Sequence, residues 1–116
     1  MFVIRQIQKE AFSESHTAKF AIELKDALRI VIPKNIEQFS DLQLLEILQE
    51  LIRECQKLDI RKKSNVHRLA YLTFTFPQVM KMPFSHQIKE ELTYPGRSED
   101  ERSMYLFLNI VSNKIN

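Results

Sequence analysis

The chain has very little glycine: Gly96 is the only one among 116 residues. A β-rich protein normally needs several glycines in its turns, and a phosphate-cradling loop needs them where the backbone approaches its ligand. The scarcity of glycine argues against both. Four prolines, at positions 33, 77, 83 and 95, separate stretches of helical pattern, where proline commonly ends or begins a helix.

Cysteine and long apolar runs are also scarce. Cys55 is the only cysteine, so no internal disulfide can form, and its place in an apolar stripe predicts a packed core thiol. No apolar run approaches the ~20 residues of a membrane span, and residues 1–5 lack the features of a signal peptide. We therefore expect a cytoplasmic protein with no membrane partner.

The charge is nearly balanced, with 17 basic and 15 acidic residues and a net charge of +2. A protein that binds nucleic acid electrostatically would show a concentrated basic footprint instead. The apolar fraction of 44% and the charged fraction of 28% are those of an ordinary globular protein, which argues against general disorder. The length predicts one domain over residues 1–116.

The strongest pattern lies between Phe39 and residue 58 and predicts a central helix over 41–58. Its apolar residues recur at steps of four and three on one stripe of a helix: Leu44, Leu48, Leu51, Cys55 and Leu58, with Leu45, Ile47 and Ile52 beside them. Ser40 and Gln43 have the spacing of a capping box, and Phe39 with Leu44 that of a hydrophobic staple. A stripe this wide predicts burial against more than one neighbour.

Weaker patterns predict further helices on both sides of the central one. An extended apolar start and a short helix are expected over 2–12, and a helix with Phe20, Leu24, Leu28 and Val31 on one face ends before Pro33. Whether 5–31 forms one bent helix or two stays open. Residues 34–38 are expected to form a polar link.

The second half of the chain predicts three more elements. Ser64 is the expected N-cap of a helix over 65–76, and Pro83 is expected to open a helix that ends near residue 92. Ser98 and Glu101 form a second capping box, ahead of a helix with a buried stripe of Met104, Phe107, Leu108 and Val111. We predict an all-α fold, a compact bundle of five or six helices.

Catalytic and metal-binding patterns are not evident. No two of His16, His67 and His86 have the i, i+4 spacing that places two imidazoles on one helical face for a metal. Acid–base catalysis needs two carboxylates in one cleft, whereas the adjacent glutamates at 90–91 point apart on a helix and the carboxylates at 99–101 are explained by helix capping. We expect a protein that is not an enzyme and uses no cofactor.

Two stretches are candidates for binding a partner. Arg61, Lys62 and Lys63, with Lys57 and Arg68 nearby, form the densest basic group. Three interpretations of this group stay open: a solvated loop, a dock for an acidic protein, or a nucleic-acid contact, although no aromatic residues interleave with it.

The second candidate stretch is the link from Pro77 to Phe84, which contains Met80 and Met82. Core filling is the first interpretation of these methionines. Contact with a partner is the alternative, because methionine gives adaptable apolar contact area at recognition surfaces.

A set of spaced residues resembles a known family. The resemblance is carried by residues 3–8 and Phe12, by Phe20, Leu24, Leu28 and Pro33, by Leu58-Asp59-Ile60, by Val66, Leu69, Tyr71, Leu72 and residues 74–76, and by Pro83-Phe84, Ile88, Leu92 and Glu101-Arg102. The family comprises small all-helical proteins encoded beside the VgrG and PAAR spike components and effectors of bacterial type VI secretion systems. The chain departs from it at 77–82, where the family usually has glycine and aspartates, and at Phe84, where tryptophan is common.

The resemblance implies an accessory role toward a secreted effector. A chaperone or adaptor would cover an apolar segment of the effector and deliver it to the spike, whereas an immunity protein would occlude the toxin's active site. The alternative is a small helical regulator that binds nucleic acid through the region from Arg61 to Arg68.

Overall fold

Seven helices and no strand make up the regular structure of the residues that the computed structural model describes, namely the backbone of 14–115 and the side chains of 16–112. The helices are α1 (Glu14–Val31), α2 (Pro33–Ile36), α3 (Asp41–Lys57), α4 (Lys63–Thr75), α5 (Pro77–Met80), α6 (His86–Leu92) and α7 (Glu99–Ile115). The predicted all-α class is confirmed. Helices α2 and α5 are single turns of four residues, which brings the count slightly above the expected five or six.

Helix α3 lies at the centre of the described core, as its pattern predicts. The capping box forms: the Ser40 N–H donates to Gln43 Oε1 at 2.9 Å, and the Gln43 N–H donates to Ser40 Oγ at 3.1 Å. Fully buried residues follow along the helix: Leu44, Leu48, Leu51, Ile52 and Cys55. The helix packs against α1 on one side and α4 on another.

Helix α1 packs against α3 and buries Phe20, Leu24 and Leu28, as predicted, with the Phe20 ring against His67 of α4. The prediction for Val31 is wrong, because this side chain is 64% exposed at the end of the helix. The prediction for 2–12, and the question of one helix or two over 5–31, fall outside the described residues.

The segment after Pro33 is not the expected polar link. It forms the single turn α2, and Ile36 is fully buried. The Arg29 guanidinium holds this turn in place, because it donates to the carbonyl oxygens of Ile36 at 3.0 Å and Phe39 at 2.9 Å and also to Asp41. Satisfied backbone carbonyls allow an irregular segment to lie against the core.

Helix α4 confirms the helical reading of 65–76, but its expected N-cap is wrong. The helix begins at Lys63, so Ser64 lies inside it, and Lys62 occupies the cap position without a side-chain cap hydrogen bond. The carboxylate of Glu99, at the start of α7, takes the place of a local cap. Its Oε1 accepts from the backbone N–H groups of Arg61 at 2.9 Å and Lys62 at 2.6 Å.

The chain between α4 and α6 is more regular than expected. Gln78 lies in α5, and the residues after that turn take left-handed conformations, with φ of 66° at Lys81 and 21° at Met82. Helix α6 begins at His86 instead of Pro83, since the Ser85 hydroxyl caps it by accepting from the Ile88 N–H at 3.2 Å. Its predicted anchors are all buried: Phe84, Ile88 and Leu92.

Helix α7 starts with the predicted capping box, in which the Ser98 N–H donates to Glu101 Oε1 at 2.9 Å and Ser98 Oγ accepts from Glu101 N at 3.1 Å. The predicted buried stripe is wrong. Met104 is 39% exposed and Leu108 is 50% exposed, while Phe107 and Val111 are partly buried. The residues on the buried side are Ser103, Leu106 and Ile110.

The rotation of α7 has a polar cause. The buried Ser103 hydroxyl donates to Asn65 Oδ1 of α4 at 2.7 Å, which turns this side of the helix inward.

Within 14–115, no helix combines the length and apolar character that crossing a membrane requires.

Candidate protein-binding surface

The predicted basic group is internally paired. Lysine and arginine side chains of the group each lie close to a carboxylate: Lys57 Nζ to Glu54 at 2.9 Å, Arg61 Nε to Asp59 at 3.2 Å, Lys62 Nζ to Asp100 at 2.8 Å and Lys63 Nζ to Glu23 at 3.2 Å. The hydrogen bond that Lys57 donates to Glu54 raises the pKa of Lys57, and the one that Lys62 donates to Asp100 raises the pKa of Lys62. Pairing of this kind reduces the positive potential that a phosphate backbone would meet.

Arg68, the remaining member of the group, is bonded inward. Its Nη1 donates to Asn65 Oδ1 at 2.8 Å and to Ser103 Oγ at 2.9 Å. The Asn65 amide in turn donates to Glu99 at 3.0 Å and to Asp100 at 2.8 Å. These bonds join the first turns of α4 and α7. A partner-binding role for the basic group stays a prediction.

The two methionines of the 77–84 link are in different environments. Met80 is fully buried, so the core-filling interpretation is correct for it, and it offers no surface to a partner in this fold. Met82 is 37% exposed on the turn that follows. Its left-handed backbone turns the chain between α5 and α6, which leaves this second side chain available for contact.

Packing and surface pairing explain the positions of Cys55, His67 and His86. Cys55 is fully buried, as predicted, and burial raises the pKa of its thiol far above the usual range. The His67 ring packs edge-on against Phe20 with centroids 5.7 Å apart, and partial burial lowers the pKa of His67. His86 Nε2 lies 3.0 Å from Glu90 on the exposed side of α6. Among the described residues, no group of three His, Cys, Asp or Glu side chains could hold a metal ion.

An open groove runs between α1, α4 and α7. Its volume is about 280 Å³, and its lining is mostly apolar: Ala27, Leu28, Val31, Ser64, His67, Arg68, Tyr71 and Phe107. The rings of Tyr71 and Phe107 form a tilted pair with centroids 6.3 Å apart. Val31 is the most exposed apolar side chain of this lining.

A second cavity of about 510 Å³ adjoins the groove at Ser64 and Arg68, which line both. It lies between the first turns of α4 and α7, and its other lining residues are Asn65, Asp100, Glu101, Met104 and Tyr105. The groove and this cavity together will be called the α4–α7 groove. Charged side chains, Arg68, Asp100 and Glu101, therefore border one end, and the other end is mostly apolar.

The sequence did not identify the groove, because its lining residues have ordinary core patterns. Val31 and Phe107 are apolar residues at helical spacing, which predicts burial. The neighbouring sequence gives no sign that other helices leave them partly uncovered. Tyr71 and Tyr105, aromatic residues with a polar tip, carry the sequence signal for a site that is partly wet.

Arg97 forms a second feature that the sequence did not indicate. Its guanidinium carbon lies 4.3 Å from the ring centroid of Tyr94 and 4.5 Å from that of Tyr105, so the cation is held between two rings. Both tyrosines are about half exposed. Tyrosine and arginine are enriched among the residues that dominate protein–protein affinity.

No known protein family, no curated protein and no solved structure matches this chain. Its function is therefore inferred from the residues and surfaces described above.

Proposed function

We propose that this chain is a non-catalytic accessory protein that binds another protein in the α4–α7 groove. The observation that carries the proposal is the mostly apolar, open lining at Val31, Tyr71 and Phe107. Contiguous exposed apolar surface on a small protein commonly marks an interaction site.

The shape of the groove favours a protein partner over a small molecule. Its two parts, of about 280 and 510 Å³, reach the roughly 300–1,000 Å³ typical of small-molecule sites, but both are open to solvent, whereas small-molecule sites enclose most of the ligand surface. Apolar and aromatic walls with a polar end match the arrangement of protein interfaces, which have an apolar centre and a polar rim.

In the narrower form of the proposal, the partner is a type VI secretion effector or spike component. This step is supported only by the spaced residues that resemble the accessory family, of which Tyr71 and Leu28 also line the groove. The groove would hold an apolar segment of the effector during delivery, or a surface loop of the toxin in an immunity complex.

The internal pairing of Arg61, Lys62 and Lys63 does not favour the alternative of a nucleic-acid-binding regulator. Such a protein depends on cations that are available to displace counterions from phosphates. A measurement of binding to duplex and single-stranded nucleic acid at low salt tests this alternative, and we expect none.

The proposed site is tested by a pair of adjacent variants in a pull-down from the native host. Val31→Asp places a charge in the groove, whereas Ile30→Asp changes the neighbouring side chain, which is 81% exposed and outside the lining. We expect Val31→Asp to weaken capture of the effector or spike component at least about tenfold, since an unpaired carboxylate in an apolar contact costs well over 1 kcal/mol. Equal capture by both variants would contradict the assignment of the groove.

A toxicity assay then separates the two versions of the role. Co-expression of the chain rescues cells from the cytoplasmic toxin if it acts as an immunity protein, and Val31→Asp abolishes the rescue. A delivery factor instead leaves toxicity unchanged, and its deletion reduces the amount of effector secreted.

A further inference from the structure

Arg97, in the turn between α6 and α7, has a guanidinium that is held in place without being hydrogen-bonded. Its position is fixed between the rings of Tyr94 and Tyr105. Among the described residues, no acceptor lies within hydrogen-bond distance of its side-chain N–H groups. The closest carboxylate oxygen in this part of the chain, Glu91 Oε2, is 4.0 Å from Arg97 Nη1, which is too far for a hydrogen bond. The donors of this side chain are therefore available to a ligand.

Arg97 lines an open cavity of about 340 Å³ where the ends of α3 and α6 meet the start of α7. Two other cations line this cavity, and both are engaged. Arg102 donates to main-chain carbonyl oxygens at the ends of α3 and α6, and Lys57 Nζ lies 2.9 Å from a carboxylate oxygen of Glu54. Of the three cations, only Arg97 has side-chain donors without an acceptor in the part of the chain that the structure describes.

A single available guanidinium fits a carboxylate better than a phosphate. Its planar fork of N–H groups matches the two oxygens of a carboxylate in a bidentate pair. A phosphate group has three acceptor oxygens and up to two negative charges. It would also lie close to the carboxylates of Asp59, which lines the cavity, and of Glu91, so its second charge would meet repulsion without a further free cation.

We propose that Arg97 binds the carboxylate of an aspartate or glutamate side chain of the partner protein. The partner is the protein that the proposed function places in the α4–α7 groove, and this step rests on that function. Tyr105 contacts Arg97 and also lines the groove, so one partner can reach both. The two rings restrict the rotamers of the arginine before binding, which lowers the entropy cost of forming the pair.

The charges along the groove specify where the acidic residue of the partner lies. Asp100 and Glu101 line the charged end of the groove, and they would repel a further carboxylate there. The acidic residue must therefore lie beyond Tyr105, on the side of Arg97. The partner segment that fits this surface has an apolar stretch in the groove and one acidic residue next to it.

An NMR titration of the isolated protein at neutral pH tests the site without the partner. The probe is acetate, and chloride at the same ionic strength is the control for screening. We expect acetate to shift the Nε–Hε resonance of Arg97 with saturation, whereas Arg53, which is paired with Glu50 on α3, should respond much less. The amide resonance of Gly96, which lines the cavity, should follow the same curve, and Arg97→Lys should remove its response.

Two results of the titration would overturn the proposal. In the first, acetate shifts the resonance of Arg97 no more than that of Arg53. In the second, inorganic phosphate saturates the site at a lower concentration than acetate does, which would assign a phosphate ligand to it.

Capture of the effector or spike component from the native host gives an independent test. Arg97→Lys keeps the positive charge but loses the bidentate fork, so it should weaken capture about tenfold, whereas Arg53→Lys should capture like the unaltered chain. Glu91→Gln removes the carboxylate that competes for Arg97 and should strengthen capture. Far-UV circular dichroism checks that the variants keep their helices. Capture by Arg97→Lys equal to that of the unaltered chain would contradict the carboxylate pair.

The Arg97 site and the groove can fail separately. Val31→Asp changes the groove but not the cavity at Arg97, so it should leave the acetate titration unchanged. If Val31→Asp captures the partner normally while Arg97→Lys loses it, the groove assignment fails and the carboxylate site stands. If only Val31→Asp loses the partner, the carboxylate site is refuted and the groove stands.

Discussion

The carboxylate of Glu99 is predicted to stabilise a helix that begins 36 residues earlier, and its removal is the sharpest test of the fold. Glu99 Oε1 accepts from the N–H groups of Arg61 and Lys62 and from the amide of Asn65. The start of α4 has no other side-chain cap. Glu99→Ala would therefore leave the start of this helix without its acceptor.

The magnitude follows from known capping energies. Loss of a helix cap costs about 0.5–2 kcal/mol, and the Asn65 amide adds little because it keeps its bond to Asp100. We expect Glu99→Ala to lower the free energy of unfolding by about 1–2 kcal/mol, which corresponds to a drop in Tm of about 4–10 °C for a chain of this size. Glu99→Gln keeps an acceptor oxygen but loses the charge, so its free energy of unfolding should lie between those of the unaltered chain and of Glu99→Ala.

Urea unfolding followed by circular dichroism measures the loss, and amide hydrogen exchange locates it. Protection should decrease at Arg61 and Lys62, far from the mutated residue in sequence. Glu90→Ala is the control, because Glu90 is exposed and pairs only with His86 among the described contacts. The role of Glu99 at the start of α4 would be refuted if Glu99→Ala and the control unfolded at the same urea concentration. Unchanged amide hydrogen exchange at the start of α4 would refute it as well.

Three further predictions concern the core, the link and the pH dependence. Leu48→Ala should destabilise by about 2–5 kcal/mol in urea unfolding, since Leu48 is fully buried, and a change near zero would contradict its central place. Met80→Asp should abolish the helical signal while Met82→Asp keeps it, because only Met80 is fully buried; two folded variants would contradict this. The hydrogen bond from Arg29 lowers the pKa of Asp41 below its reference value of 3.8, and the hydrogen bond from Lys62 does the same for Asp100. The stability that these two ionised carboxylates contribute is therefore present above pH 3.8 and is lost as the pH falls below that value. A Tm that does not fall on acidification would contradict this prediction.

Local signals in the sequence were sufficient for the central helix. The capping box of Ser40 and Gln43 and the stripe through Leu48 involve residues within one helix, so both could be recognised from spacing alone. The second capping box, at Ser98 and Glu101, formed for the same reason.

Features that depend on distant residues could not be recognised in this way. Apolarity alone placed Leu108 in the core, whereas the observed rotation of α7 depends on a hydrogen bond between Ser103 and Asn65. The start of α4 was assigned to Ser64 because the sequence gives no sign that Glu99 would reach it. The groove arises from where α1 ends relative to α7, which is a property of packing and not of any one segment.

Arg102, near the start of α7, binds the C-terminal ends of two other helices. Its Nη1 donates to the carbonyl oxygens of Leu58, just after α3, and of Leu92, at the end of α6. Glu99, one turn earlier, binds the start of α4. The ends of α3, α4 and α6 therefore all depend on the first turn of α7. A chain cut in the turn around Gly96 would therefore yield an N-terminal fragment whose helices lack their terminal partners, and that fragment should regain stable structure only when the C-terminal peptide is added back.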